Sequence, residues 1–368
     1  MMSVQTIDVS RYKKDNSFYG EVDLLVAIKS FDLQAIRSRY LKSRENTKGK
    51  IGSVERRKVT TGGIVSLRIK KGQLLAEKEL ARLKEPRGIC AGEDMLIIGA
   101  ENKVYAFTDE EVQTITNPWF SYIHSVNLSS DKKKLVVSSS GFDVFFEYDM
   151  ATFGKIYEWL AWENGFNKGK DPKSGKTIIL SKENLKSAEA DVLVISDPKT
   201  QVLPTAMRAA FINSVDYDSK DENQFIATFF HEGAVYHIDK QTNNAQKVLE
   251  GLKMPHGGRR FNNQFMVTST GSGEVVTGDV DMQTNYSFKN LPGKPDYLSE
   301  LEWLQNTIVY QNCFITIDSN RTSFVIFDPQ KQLIDVIAYD ENWAVQEIFA
   351  AKISEEKTEL LQGISEIR

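Results

Sequence analysis

The chain has 368 residues, 41% of them hydrophobic and 26% charged, which is ordinary globular composition with length enough for one large core or two smaller ones. Disorder throughout is excluded. With 46 Lys plus Arg against 50 Asp plus Glu the net charge is −4, so no global positive excess points to nucleic acid or an anionic membrane, and any such role needs a local patch.

The first segment, MMSVQTIDVSRYKK, is polar where a signal peptide needs an apolar run, and VDLLVAI at residues 22–28 is far shorter than a membrane span. Cys90 and Cys313 are too few for a disulfide framework or a cysteine zinc site, and a reducing compartment suits them. The expectation is a soluble, cytoplasmic protein.

Taken in chain order, residues 22–32, 62–72 and 73–82 have the character of second, third and fourth strands, with no first strand before them. A unit then recurs: a leading tripeptide, a turn, a strand, a second turn, a strand ending in an aromatic and a polar residue, and an outer strand. It begins at Pro86, Ile123, Ile212 and Pro255, and less clearly at Leu298. A sixth unit opens at Val345 in VQEIFAAKI and gives way to a polar tail, residues 354–368, before its remaining strands arrive. The ends complement each other. The predicted fold is therefore all-β, a six-bladed β-propeller in a single domain over residues 1–353, with the C-terminal strand completing a blade whose outer three strands are N-terminal. A β-sandwich or a pair of small β-domains is the alternative.

In such a ring the loops between second and third strands and those between blades lie on one face, the top. The two longest interruptions, residues 33–61 and 163–207, are of these two kinds, so both fall on that face, and long loops in a compact repeat point to function. The first holds Arg37, Arg39, Lys42, Arg44, Lys48, Lys50, Arg56, Arg57 and Lys58 against Glu45 and Glu55, a local charge of about +7. It reads as a funnel for an anionic ligand, as a dock for an acidic protein partner through residues 37–58, or as a solvated, partly helical loop. The second, with turn residues around TIIL, reads as a cover.

Superposing the repeats puts one residue of each leading tripeptide at the top of an inner strand beside the channel: Arg87, His124, Asn213, His256, Ser299 and Gln346. A calcium site needs carboxylates, and these positions carry none, although Glu300 and Glu347 stand one residue away. A transition metal held by His124 and His256 lacks a third ligand but stays open. The third reading is an anion or phenolic-oxygen site, in which Arg87 with Arg259 or Arg260 binds charge and a histidine acts as acid, base or nucleophile. Against all three, channel-facing polar groups can simply satisfy backbone and water. His231, in FFHEG, reads as a rim residue and His237 as structural, while Trp119 and Tyr122 are placed to wall a pocket for an aromatic ligand.

The strings IHSVNLSSD, VVSSSGFDVFFEYD, EWLAWENGF, INSVDYD and PHGGRR, in this order, resemble a group of uncharacterised bacterial six-bladed propellers, with a looser likeness to arylsulfotransferase and NHL-type propellers. The arylsulfotransferase likeness implies sulfo transfer between phenols by channel histidines and an arginine, and hence such roles for His124, His256 and Arg87. Members of the bacterial group carry His where this chain has Phe211. The expected function is a small-molecule enzyme performing group transfer or acid/base chemistry at the top of the channel. Its catalytic residues are His124, His256 and Arg87, and Asn213, Arg259, Arg260, Gln346, Trp119, Tyr122 and His231 bind substrate. Its partner is a small anionic or aromatic molecule, with no cofactor, nucleic acid or membrane. The alternative is a non-catalytic propeller that docks an acidic partner through its basic loop.

Overall fold

The structure, a computed structural model, describes residues 3–56, 58–92 and 94–364. Its described strands form seven sheets. Six share one plan of four successive antiparallel strands, whose first members are Gly88–Ala91, Ile123–Leu128, Ile212–Asp218, Pro255–Phe261, Leu304–Tyr310 and Ala344–Ala350. In the last of these, Ala344–Ala350 pairs antiparallel with Glu21–Ser30, which pairs with Thr61–Lys70 and then Gln73–Lys84. Strands near the middle of each sheet, such as Val144–Asp149 and Ser323–Asp328, are buried almost throughout because neighbouring sheets cover both faces, and their sequences are accordingly near-continuous in apolar residues. The largest core joins the sheets begun by Ile123–Leu128 and Ile212–Asp218, where Phe145, Trp159, Phe225 and Phe229 pack as stacked and edge-on rings.

Three features differ from the sequence reading. Residues 163–207 are more than a loop: Lys168–Lys170, Thr177–Ser181 and Asp191–Val194 make the seventh, three-stranded sheet. The N-terminal Ser3–Asp8 and Lys13–Lys14 run parallel to Met282–Ser287 and Leu333–Ala338, so the chain covers two outer edges before entering its own sheet. Residues 354–368 include helix α2, Glu355–Gly363, capped by the Ser354 side chain on the Lys357 N–H. Leu361 of α2 is fully buried among Leu25, Ile64 and Leu83, and Lys357 pairs with Asp109. Apolar spacing in ELLQGI carries that amphipathic turn, although the surrounding charges mask it.

Helix α1, Leu33–Arg44, opens the first insertion. Asp32 caps it by accepting the Ala35 N–H at 2.9 Å, and Lys42 and Arg44 fall in its last turn, where cations favour the helix dipole. Leu33 and Ile36 bury against Trp303 and Ala344, and Arg37 donates to the carbonyls of Ser319 (2.6 Å) and Asn320 (3.0 Å). These contacts fix the helix over the first strands of the last two sheets. No helix among the described residues is long and apolar enough to cross a membrane.

Candidate functional site

Five of the six first strands break register near their start: between Ile123 and Ser125, Ile212 and Ser214, His256 and Arg259, Leu304 and Thr307, and Val345 and Glu347. A bulge leaves an extra residue outside the ladder and re-aims its side chain. His124, Asn213, Gln305 and Gln346 are such residues, and His256 stands at the edge of another. The fifth position is therefore Gln305. Ser299 is exposed just after the short Asp296–Leu298 turn, which delays the strand beyond the expected start.

Two residues ahead of four of these positions the backbone is left-handed: Glu85 (φ 42°), Tyr122 (φ 61°), Phe211 (φ 53°) and Met254 (φ 54°). Such a φ in a bulky residue is strained by order 1–2 kcal/mol, and it recurs where the chain must turn a side chain across the channel mouth. Tyr122, Phe211 and Met254 thereby wall a cavity of about 160 Å³, joined by Trp303 at the corresponding place in the fifth sheet. Its charged and imidazole lining comes from Lys29, Arg39, Arg87, His124 and His256, with Gln305, Gln346 and Thr270 among the neutral polar groups and no Asp or Glu. Both insertions roof it, the first through Ile36, Arg39, Tyr40, Ser43, Gly52 and Ser53, the second through Thr205. They touch one another where Ala206 N–H donates to the Ser53 carbonyl at 3.2 Å.

Arg87 is 2% exposed and pairs with Glu85 at 2.6 Å, yet its Nε has no hydrogen-bond partner. Its guanidinium lies 4.3 Å from the Tyr122 ring centre, and that of Arg208 lies 4.5 Å from the same centre and 4.8 Å from that of Phe211. Arg208 leaves Nε and Nη1 unpartnered, and Arg39 leaves Nη2. Burial, with the charge of Arg208 and Arg39 added, pulls Arg87 down to about 9, and burial pulls Arg208 down to about 10. Asp143 holds Arg208 in place indirectly: its buried carboxylate accepts N–H groups of Ala209 (2.8 Å), Ala210 (3.2 Å) and Phe211 (2.6 Å) and the Trp162 indole (3.2 Å).

The imidazoles of His124 and His256 lie with ring centres 5.5 Å apart. Burial first, then the neighbouring cations, holds His256 at about 3 and His124 well below its usual value, so both rings are neutral. His256 Nδ1 lies 3.1 Å from the Met254 carbonyl, which only accepts, and 2.9 Å from Thr270 Oγ1. That arrangement assigns the proton to Nδ1 and leaves a lone pair on Nε2. Lys29 Nζ donates to Gln346 Oε1 at 2.9 Å, and Gln346 donates on to Gln305 at 3.3 Å. Among the described residues no three His, Cys, Asp or Glu side chains gather as a metal would need, so the imidazole pair has cations for neighbours where a metal site would have a third ligand.

The structure thus brings together Arg87, Tyr122, His124, His256 and Gln346, and sets the other expected site residues elsewhere. Asn213 donates to the Pro255 carbonyl at 2.7 Å, and Trp119 packs edge-on against Phe142 and Trp162. His231 sits between the carbonyls of Arg208 (3.1 Å) and Ile51 (3.0 Å), its ring kept neutral by burial and donating its one N–H to one of them, beside a cleft of about 660 Å³ that adjoins the cavity at Tyr40, Ser43, Phe230 and Met254. Arg260 is spent on Asp218, which also accepts from His237 at 2.8 Å, and lies flat on Phe265. Arg259 sits deeper, with Asn306, Asp216 and Glu347 around it. Lys29, Phe211 and Met254 line the cavity without having been expected there, Arg39 of the basic loop joins them, and Arg208 stands behind Tyr122 and Phe211. Of the basic loop, Arg37 is buried in backbone contacts, Arg39 lines the cavity, Lys50 reaches the Ala209 carbonyl, and Arg57 lies outside the described residues.

Burial pushes Glu347 up to about 7, against the lowering effect of Arg259 and a bond from Asn306, with Asp216 adding repulsion. A raised folded value means the folded state holds a proton the unfolded state has released, so Glu347 favours folding below about pH 4.5 and that contribution is lost as pH climbs through about 7. The loss is about 3 kcal/mol at most. Glu347→Gln is expected to flatten the melting-temperature profile between pH 5 and 7.5, and an unchanged slope counts against this account of the group.

No protein-family model matches the chain, and no curated protein does. Solved structures match it at low identity. A chain of the nidogen/laminin complex is 10% identical with a TM-score of 0.54, covering 89% of this chain and 97% of that one. A protein of unknown function from Bacteroides caccae is 10% identical with a TM-score of 0.51, covering 89% and 98%. A streptogramin B lyase reaches 9% identity and a TM-score of 0.43 over 70% of this chain and 84% of that one. The fold is propeller-like. At such identity the likeness carries architecture alone.

Proposed function

We propose that the chain is a six-bladed β-propeller, closed through Ala344–Ala350 and Glu21–Ser30, whose channel-mouth cavity binds a small anionic molecule and acts on it. The six like sheets support the blade count, with the three-stranded sheet of residues 168–194 belonging to the roof. The observation that carries the binding reading is Arg87: a guanidinium taken out of water, with an unpartnered Nε, on a wall with no carboxylate. A buried N–H left without an acceptor costs about 1–3 kcal/mol, which an anion's oxygen removes. His256 Nε2 then takes the proton of a water that attacks the bound ester and returns it to the departing alcohol as the ester C–O bond breaks, Arg87 and Lys29 stabilise the negative charge that develops, and His124 packs against the reacting group.

The division of the basic insertion favours this over a protein dock, because Arg37, Arg39 and Lys50 turn inward and only part of the patch, such as Lys42, Arg44 and Lys48, is left exposed. Activity is tested with a panel of aryl esters bearing an anionic group. His256→Ala is expected to keep the fold and lose at least about 100-fold in turnover, the usual contribution of a positioned base. Equal turnover in wild type, His124→Ala and His256→Ala refutes the catalytic assignment. Anion-independent, salt-sensitive capture of an acidic protein, lost on neutralising Lys42, Arg44 and Lys48, would instead support docking.

A further inference from the structure

We infer that the site takes its ligand as a doubly charged oxyanion carried on a flat apolar body. This rests on the reading of the cavity as an anion site and narrows it. Three cationic side chains, Lys29, Arg39 and Arg87, reach the cavity wall, and a fourth, Arg208, stands behind Tyr122 and Phe211. The carboxylates that face them, Glu85 and Glu101 on Arg87 and Asp143 near Arg208, lie outside the cavity lining. On the cavity wall itself two guanidinium nitrogens have no acceptor, Arg39 Nη2 and Arg87 Nε, and the Lys29 ammonium adds a third positive group beside them. A single negative charge on two oxygens leaves part of that donor set and of that field unanswered, whereas a phosphate ester or a pair of carboxylates presents more oxygens and a second charge. The two histidines, held neutral, add no positive charge, and the lone pair of His256 does not compete for the head group.

The remaining wall sets the body. Phe211, Phe230, Met254 and Trp303 line the cavity, with Tyr40 stacked on Trp303 at 4.8 Å between ring centres. These are faces for a ring or short planar chain. A cavity of about 160 Å³ limits it to one ring with its head group, and the adjoining cleft past Tyr40 and Phe230 admits any extension.

The test is calorimetric titration of the full chain at pH 8 with phenyl phosphate and phenylmalonate as dianions, phenyl sulfate and benzoate as monoanions on the same ring, and inorganic phosphate without a ring. The expected result is that at least one ring-bearing dianion binds at least about tenfold tighter than either monoanion, the equivalent of one charge-assisted hydrogen bond. Which of the two dianions binds tighter distinguishes a phosphoryl from a dicarboxylate ligand. Arg39→Gln, which removes one cation from the cavity wall, is expected to weaken the dianions more than benzoate and so to shrink that gap. Monoanions binding as tightly as dianions would overturn this inference and leave the anion site standing. Inorganic phosphate matching phenyl phosphate would overturn the planar body. Failure of every anion to bind would overturn the anion site as well.

Discussion

Asp143→Ala is expected to lower the unfolding free energy by about 4 kcal/mol or more and to abolish anion binding with it. The carboxylate is fully buried in a left-handed residue (φ 54°) and collects three backbone N–H groups and the Trp162 indole. Its removal leaves donors in the interior at about 1–3 kcal/mol each and strips Arg208 of its nearest counter-charge. Residues 209–211 then keep only the bonds their carbonyls accept, from Lys50 and from the His231 and Phe230 N–H groups, and Phe211 and Arg208 lose their placement beside the cavity. Asp143→Asn keeps one acceptor oxygen and is expected to fall between wild type and alanine. Urea unfolding of the three proteins measures this, and a loss below about 1 kcal/mol for alanine would show that the turn is held by other contacts.

The second large effect separates stability from binding at Arg87. Arg87→Gln leaves Glu85, 1% exposed, without its guanidinium, and breaking such a buried pair from one side costs about 3–5 kcal/mol. Glu85→Gln in the same chain removes the stranded charge while its amide oxygen still accepts from Thr60, whose N–H and Oγ1 lie 3.0 and 3.1 Å from Glu85 Oε1. The double variant is therefore expected to regain most of the stability lost by Arg87→Gln and none of the anion binding. If the double variant regains affinity as well, Arg87 is structural and the anion sits elsewhere.

The repeat was legible because each unit restates the same strand and turn chemistry, and four of the residues in its leading tripeptides, Arg87, His124, His256 and Gln346, line the cavity. The pattern that was missed sits two places earlier. Tyr122, Phe211, Met254 and Trp303 precede the ring positions by two, and a bulky apolar or aromatic side chain there, followed by Pro, Ile or Leu, is a sequence signal for wall residues. It reads as ordinary core because nothing in composition announces a left-handed backbone. The same spacing would have moved the fifth position from Ser299 to Gln305. Arg208 and Arg39 were out of reach, since their places depend on how two insertions cross above the channel, and Arg259 and Arg260 point away because alternate residues of a strand past its bulge face different neighbours.

A crystal of the protein grown in selenate tests the central claim most directly, because selenium's anomalous scattering locates the anion without reference to the protein phases. The account predicts a selenate in the cavity with an oxygen about 3 Å from Arg87 Nε and a second oxygen toward Arg39. Selenate found only on exposed Lys42, Arg44 and Lys48, with the cavity holding water alone, would contradict it.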